Sequence, residues 1–145
     1  MPKTLLGCAT LVAALAFAGC AAAPPVQGPS LYQRLGGREA ISAAVDDAVV
    51  NIAADTRINR RFASASIPHL QGDLVDLMCM RAGGPCIYRG ANMSALHEGM
   101  YIRADEFDAL IEDLVKSFDK FNVPAREQRE MLTILRQMKS AIIEH

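Results

Sequence analysis

Apolar residues recur at the spacing of an α-helix through most of the chain, and this periodicity limits the fold more than any other feature. The clearest stripe follows about 3.6 residues per turn and consists of Phe107, Leu110, Ile111, Leu114, Val115, Phe118 and Phe121. The opposite, charged face holds Asp105, Glu106, Asp108, Glu112, Asp113, Lys116 and Lys120. Stripes over 41–52, 70–78 and 131–142 predict further helices, and no run of strand length alternates apolar and polar residues. The sequence therefore predicts an all-α domain.

Glycines and prolines divide these helices into short pieces. Gly36-Gly37 ends a first turn, Gly83-Gly84-Pro85 ends the helix that contains 70–78, and Val123-Pro124 separates the last two helices. Ser66 can cap a helix, and Pro68 is tolerated in a first turn. So many stops are unusual in a simple bundle, and they indicate short helices around a pocket.

Length and net charge limit the classes of function that the chain can have. The chain has 145 residues, 51% of them hydrophobic, which suffices for a leader and one compact domain with a core. Its 15 basic and 16 acidic residues leave a net charge of −1. A nucleic-acid-binding domain normally carries a strongly basic face, so the composition excludes that class.

The N-terminal residues have the pattern of an export signal. Lys3 precedes an apolar run, Leu5 to Phe17, that is too short to span a bilayer comfortably, and Ala18-Gly19-Cys20 ends it with small residues. This resembles a bacterial lipoprotein signal, which implies that residues 1–19 are removed and that Cys20 is acylated. Phe17 departs from that pattern, which has a leucine-type residue at its position. Cleavage at an Ala-x-Ala-like site would instead give a soluble periplasmic protein.

The remaining chain divides into a tether and a domain. Residues 20–29 are rich in alanine and proline, so they cannot bury a face and are predicted to be a tether. The folded domain is predicted to occupy residues 30–145. We therefore expect an exported protein, either a cell-envelope lipoprotein or a soluble periplasmic one.

His97 follows Met93 at i−4 and Leu96 at i−1, so it can stand on the inward face of a short helix that begins after Gly90. A lone histidine among apolar residues is most often a core imidazole bonded to a carbonyl. Local spacing by itself favours that interpretation over a metal ligand, and only the rest of the chain reverses it.

A series of motifs runs in order through nearly the whole domain. They are Leu31-Tyr32-Gln33-Arg34-Leu35-Gly36-Gly37, Val45-Asp46-Asp47, Ala54-Asp55, Phe62, Leu70, Gly83-Gly84-Pro85, Tyr88 with Gly90, Met93, His97 with Gly99 and Ile102, Phe107, and Val123-Pro124. Together they resemble the group I truncated haemoglobins, whose fold is the two-over-two helical globin.

The resemblance implies haem b, with His97 as the proximal iron ligand and Phe62 wedged against the porphyrin face. It implies a pocket formed with Val49, Leu70, Leu74, Leu77, Met78, Tyr88, Met93, Ile102 and Phe107. A porphyrin also needs polar groups at its rim for the propionates, and the candidates are Tyr88 and one of Arg81, Arg89 or Arg103. Covalent c-type attachment is not expected, because the sequence contains no Cys-x-x-Cys-His.

The distal side departs from the family pattern. Val49, Leu70 and Leu74 stand where a tyrosine and glutamine-like residues usually donate hydrogen bonds to bound oxygen, and Ala48 stands where phenylalanine is usual. A missing donor costs about 1–3 kcal/mol of ligand stabilisation. We therefore expect fast oxygen release, ready oxidation to ferric haem, and a relative preference for CO or NO. His69 lies about 100° around the helix from Leu70, so a surface position is expected rather than a sixth iron ligand.

Cys79 and Cys86 flank Gly83-Gly84 across a predicted helix end. In an oxidising compartment they can form a disulfide that ties the helix to the loop leading to His97. The alternative is two reduced thiols. A zinc site of Cys79, Cys86 and His97 would lack a fourth ligand and a familiar spacing.

Three functional classes follow from these residues. The first is a haem protein that binds O2, NO or CO. The second is an enzyme on the same haem, such as an NO dioxygenase or a peroxidase, which would need an unidentified reductase; no Gly-x-Gly-x-x-Gly motif is present to supply one. The third is a haem-free lipoprotein that keeps the globin helices for protein interaction.

Overall fold

The computed structural model describes residues 28–143, so the predicted signal, Cys20 and most of the tether lie outside the described residues. The α-helices of the described part are α1 (Leu31–Arg34), α2 (Gly37–Ala54), α3 (Ile67–Arg81), α4 (Met93–His97), α5 (Ala104–Lys120) and α6 (Ala125–Arg136). Two 3-10 helices, Asn59–Phe62 and Lys139–Ala141, complete it. These residues contain no strand, and their only β-contact is a single bridge between Ile102 and Ile143. No helix among them is long and apolar enough to cross a membrane.

The predicted glycine and proline stops lie at helix ends. Gly36 and Gly37 adopt positive φ angles of 94° and 79°, which favour glycine, and they separate α1 from α2. Pro68 lies in the first turn of α3. Gly84 follows α3 so closely that a Cβ there would approach the Cys79 carbonyl to 2.8 Å. The sequence thus breaks the helices where the chain must turn.

Helix α2 occupies the centre, because it packs against both α3 and α5. Its predicted stripe is buried in full: Ile41, Ala44, Val45, Ala48, Val49 and Ile52. The main apolar core joins residues of α1, α2, α3, α5 and α6, whereas Ile52, Ile58 and Ala109 form a second, smaller cluster with Phe62 and Leu110 against it. Val49 and Leu77 are buried but belong to neither cluster.

The charged face predicted for α5 is partly wrong. Asp113 is fully buried, and Glu106 is nearly so. Asp113 accepts a 2.7 Å hydrogen bond from Lys116, while Asn51 of α2 reaches its backbone carbonyl at 3.3 Å. The side of α5 that periodicity assigns to solvent is therefore covered in part by polar residues of α2.

Two apolar predictions near helix ends also need correction. Phe121 is 44% exposed because it follows the last residue of α5, and Lys120 lies over its ring. The last helix ends at Arg136, so Met138 and Ile142 are half-buried outside it. In both places the apolar spacing continues beyond the residue at which the helix ends.

Candidate functional site

His97 is the last residue of α4, a helix of only 5 residues. Asn92 caps it, because its side-chain oxygen accepts a 2.9 Å hydrogen bond from the Ala95 amide. Helix α4 packs against the 3-10 helix Lys139–Ala141. A short, capped helix thus presents the histidine at the end of an otherwise irregular stretch. We call residues 83–103 the histidine segment.

The two ring nitrogens of His97 have different environments. Nδ1 lies 2.8 Å from the carbonyl oxygen of Met93, one turn earlier in α4. A carbonyl only accepts, so Nδ1 donates, and in the neutral ring Nε2 then keeps its lone pair. Nε2 has no hydrogen-bond partner within residues 28–143. The ring is half-buried and fixed in the tautomer that a metal-binding imidazole requires. It therefore combines the carbonyl bond of a core histidine with an unused ligand nitrogen.

A cavity of about 360 Å³ lies beside Phe62. Its apolar wall consists of Val49, Ile52, Ala53, Phe62, Ala63, Ile67 and Leu70. Three predicted pocket residues, Val49, Phe62 and Leu70, therefore share one cavity. His97 is not among the residues that line this cavity, so the structure does not bring it together with these three in one pocket.

The other predicted pocket residues fall into two groups. Leu77, Met78 and Phe107 are buried. Leu74, Tyr88, Met93 and Ile102 are half-buried. His69 is at the surface, as expected: its side chain is 83% exposed and faces Asp73 at 3.8 Å.

Two polar residues of the cavity wall were not predicted. They are Asn59 and Arg60, which precede Phe62 in the same 3-10 helix. The side-chain amide of Asn59 makes one long contact, 3.5 Å to the Ala53 carbonyl. Arg60 has no ion-pair partner within the described residues, whereas its neighbours Arg57 and Arg61 are both paired. The basic run 57–61 was visible in the sequence, but nothing in it indicates which arginine faces a cavity.

Among the predicted rim residues, Tyr88 is half-buried, whereas Arg81, Arg89 and Arg103 are exposed. Its hydroxyl donates to the Ala91 carbonyl at 3.1 Å, and burial, followed by the charge of Asp73, raises the pKa of the phenol. A Cβ at Gly90 would lie 2.2 Å from this hydroxyl, so the glycine makes room for the ring. Arg103 pairs with Asp105 at 2.8 Å, which reduces its availability for another anion.

Cys79 and Cys86 form a disulfide with a Cα–Cα distance of 5.8 Å. Cys79 is fully buried in α3, and Cys86 belongs to the histidine segment. The bond therefore joins α3 to the chain that leads to His97. It also leaves neither thiolate free for zinc, and no group of three metal-binding side chains is found within residues 28–143.

Short helices packed around α2, without a strand in the described residues, form the arrangement of the two-over-two globins. A family model described as bacterial-like globin matches residues 30–144. The chain therefore belongs to the bacterial-like globin family. The predicted all-α, two-over-two globin fold is confirmed.

Individual relatives narrow the family assignment to the truncated globins. The group 1 truncated haemoglobin of Tetrahymena thermophila is 34% identical over 95 residues, which are 66% of this chain and 78% of that protein. The crystal structure of the Tetrahymena pyriformis truncated haemoglobin, in its Fe(III) form, has a TM-score of 0.78 at 28% identity and covers 81% of this chain and 100% of that one. The 2/2 haemoglobin of a Synechococcus species, described in the cyanomet state with covalently attached haem, has a TM-score of 0.74 at 30% identity over 79% and 98% of the two chains.

Proposed function

We propose that this protein is a haem b globin whose iron is ligated by Nε2 of His97 and binds a diatomic gas on the opposite, largely apolar side. The observation that carries the proposal is the 2.8 Å hydrogen bond from His97 Nδ1 to the Met93 carbonyl. It fixes the ring and leaves Nε2 as a lone-pair donor. A haem cofactor is supported by the family and by haem-containing relatives.

The residues of the chain fit this cofactor. His97 offers one axial nitrogen, Phe62 and Leu70 provide apolar surface at the cavity, and the Tyr88 hydroxyl is a polar group proposed for the haem rim. Bound haem supplies an iron that coordinates O2, NO or CO. The chain's part is to hold that iron through one imidazole, to exclude bulk water and to set the polarity around the gas.

The apolar cavity wall supports fast oxygen release. Val49 and Leu70 both line the cavity, and neither side chain can donate a hydrogen bond. Asn59 and Arg60 line the same cavity and can donate. If neither reaches the bound gas, oxygen loses about 1–3 kcal/mol of stabilisation. CO and NO depend less on that bond, so the protein is expected to favour them relative to oxygen.

A visible spectrum tests haem binding and His97 ligation together. The purified protein is expected to show a Soret band in ferric, ferrous and carbonyl forms, which His97→Ala removes or shifts and added imidazole restores. His69→Ala is the matched control, because that histidine is exposed. A wild-type protein that stays colourless when titrated with haemin would overturn the proposal and favour the haem-free interaction protein.

Oxygen dissociation kinetics test the distal side. We expect a fast off-rate that changes less than about threefold in Asn59→Ala and Arg60→Ala, the two polar wall residues. A slow off-rate that either substitution accelerates would identify that side chain as a distal donor. The apolar distal pocket would then be wrong.

We also propose that residues 1–19 export the chain and that Cys20 anchors it at the cell envelope through a lipid, with 20–29 as a tether to the globin domain. Cys20→Ser is expected to move the protein from the membrane fraction to the soluble fraction. Cys8→Ser is the control, because it lies within the predicted signal. An unchanged distribution in Cys20→Ser would favour cleavage to a soluble periplasmic protein.

A further inference from the structure

Arg61 joins the 3-10 helix beside the cavity to the turn that follows His97 and to the start of α5. It precedes Phe62 in the 3-10 helix that borders the cavity. Its guanidinium binds both carboxylate oxygens of Glu106, at 2.9 and 2.8 Å. It also donates to the Met100 carbonyl at 2.9 Å and makes a longer contact of 3.4 Å with the Tyr101 carbonyl. One side chain thus holds the start of α5 and the end of the histidine segment.

Glu106 is suited to anchor this contact. Its side chain is 9% exposed, and the Arg103 amide donates to it at 2.9 Å in addition to Arg61. Hydrogen bonds from Arg61 hold the pKa of this carboxyl below its ordinary range. A bidentate arginine–carboxylate pair has a defined geometry as well as charge, and a nearly buried carboxylate needs such a partner.

The turn that Arg61 contacts includes two residues with a left-handed backbone. Between His97 and α5, Gly99 has a φ of 74° and Tyr101 a φ of 49°. A left-handed backbone costs little for glycine but is unfavourable for tyrosine, whose side chain here is 73% exposed and makes little packing contact. Arg61 binds the carbonyls of the two peptide units that flank the α-carbon of Tyr101, namely those of Met100 and Tyr101. Its hydrogen bonds therefore stabilise the unusual turn.

We infer that Arg61 is a positioning residue for the proximal ligand. Through Glu106 and the Met100 carbonyl it fixes the turn that follows His97, and through its own 3-10 helix it relates that turn to Phe62. The inference rests on the proposed ligation of iron by His97, and it adds the residue that sets how the imidazole is held. Arg61 itself touches neither haem nor gas in this account.

A matched control exists four positions away. Arg57 also forms ion pairs, with the two carboxylates of Asp55 and Glu112, but it makes no hydrogen bond or ion pair with the histidine segment. An arginine that only adds surface stability would behave like Arg57. A positioning role predicts that the two substitutions differ in readouts of the turn and of the iron–histidine bond.

The experiment compares Arg61→Ala, Arg61→Lys and Arg57→Ala. In the haem-free protein, hydrogen exchange of amides 98–102 is expected to accelerate by about tenfold or more in Arg61→Ala, to change less in Arg61→Lys, and to stay unchanged in Arg57→Ala. In the haem-loaded protein, Arg61→Ala is expected to shift the ferrous iron–histidine stretching band and to speed haem loss by about tenfold.

The outcomes separate this inference from the haem proposal. Equal exchange rates in Arg61→Ala and Arg57→Ala would overturn the positioning role, whatever the haem spectrum shows. If amide exchange accelerates but the iron–histidine band and haem loss do not change, Arg61 stabilises the turn without positioning the ligand, and the inference is wrong. If wild type shows no Soret band but amide exchange still accelerates in Arg61→Ala, only the ligation of iron by His97 is overturned. Far-UV circular dichroism of each variant excludes global unfolding as the cause.

Discussion

The helical core and the histidine segment are built in different ways. Helix α5 buries a face of Phe107, Ile111, Leu114 and Phe118 against α2 and its neighbours. The histidine segment has one short helix, and its Ile87, Leu96 and Tyr101 are 66%, 51% and 73% exposed. Buried apolar surface stabilises the core, whereas individual bonds stabilise the segment: one disulfide, the Tyr88 hydrogen bond and the Asn92 cap. The contacts of Arg61 with Glu106 and the Met100 carbonyl, which we call the Arg61 clamp, add to these. Global stability therefore resides mainly in the first region and ligand geometry in the second.

Truncation of a core side chain is expected to have the largest effect. Phe118 is 2% exposed in the main core, so Phe118→Ala removes its buried ring and leaves a cavity. The loss is about 3–5 kcal/mol of unfolding free energy, measured by urea denaturation of the haem-free protein. Leu96→Ala is the control from the exposed part of the histidine segment. Similar losses in both variants would contradict the difference between the two regions.

Removal of the disulfide is expected to have the next largest effect. Cys79 and Cys86 close a loop with a sequence separation of 7, for which chain entropy predicts about 2.5 kcal/mol. We expect Cys79→Ser with Cys86→Ser to lower stability by that order and to accelerate haem loss, because the bond ends in the histidine segment. Treatment of wild type with a reductant reproduces the change without mutation. Stability that is equal with and without reductant would show that the bond does not constrain the chain.

Acid is expected to weaken the Arg61 clamp selectively. The pKa of Glu106 is lowered by its hydrogen bonds to Arg61 and then to the Arg103 amide. Its stabilising contribution is therefore complete above about pH 4.3, the ordinary pKa of glutamate, and is lost as the pH falls through the lower folded value. The stability advantage of wild type over Glu106→Gln is expected to shrink below that pH, by less than the disulfide contributes. Denaturation at several pH values measures it, and a constant difference would contradict the linkage.

A helix glycine is expected to give the smallest effect and the opposite sign. Gly72 lies within α3, and a Cβ there would meet nothing within 4 Å. Gly72→Ala is expected to raise stability by about 0.5–1 kcal/mol without changing haem loss. Gly84→Ala is the contrast, because its Cβ would lie 2.7 Å from the Cys79 sulfur. A gain in both would show that the disulfide turn tolerates a side chain.

Local sequence patterns anticipated the helices because burial has a period. The stripe from Ile41 to Ile52 is buried as predicted, and the glycine and proline stops lie at helix ends. The same rule failed for Asp113 and Glu106, which it assigned to solvent. The Glu106 side chain pairs with Arg61 of a distant helix, and Asn51 of α2 reaches the Asp113 backbone carbonyl. A one-helix pattern contains no information about either contact.

The sequence by itself determined that the chain is helical, where glycine and proline break it, and which histidine stands at the end of a short apolar turn. These follow from side-chain period, backbone restrictions of glycine and proline, and motif spacing, all of which act over a few residues. Only the tertiary structure decided that Asn59 and Arg60 line the cavity and that Arg61 grips Glu106, 45 residues away. Hydrogen bonds and ion pairs have ranges of a few ångströms, so their partners are fixed only when packing has brought separate helices together.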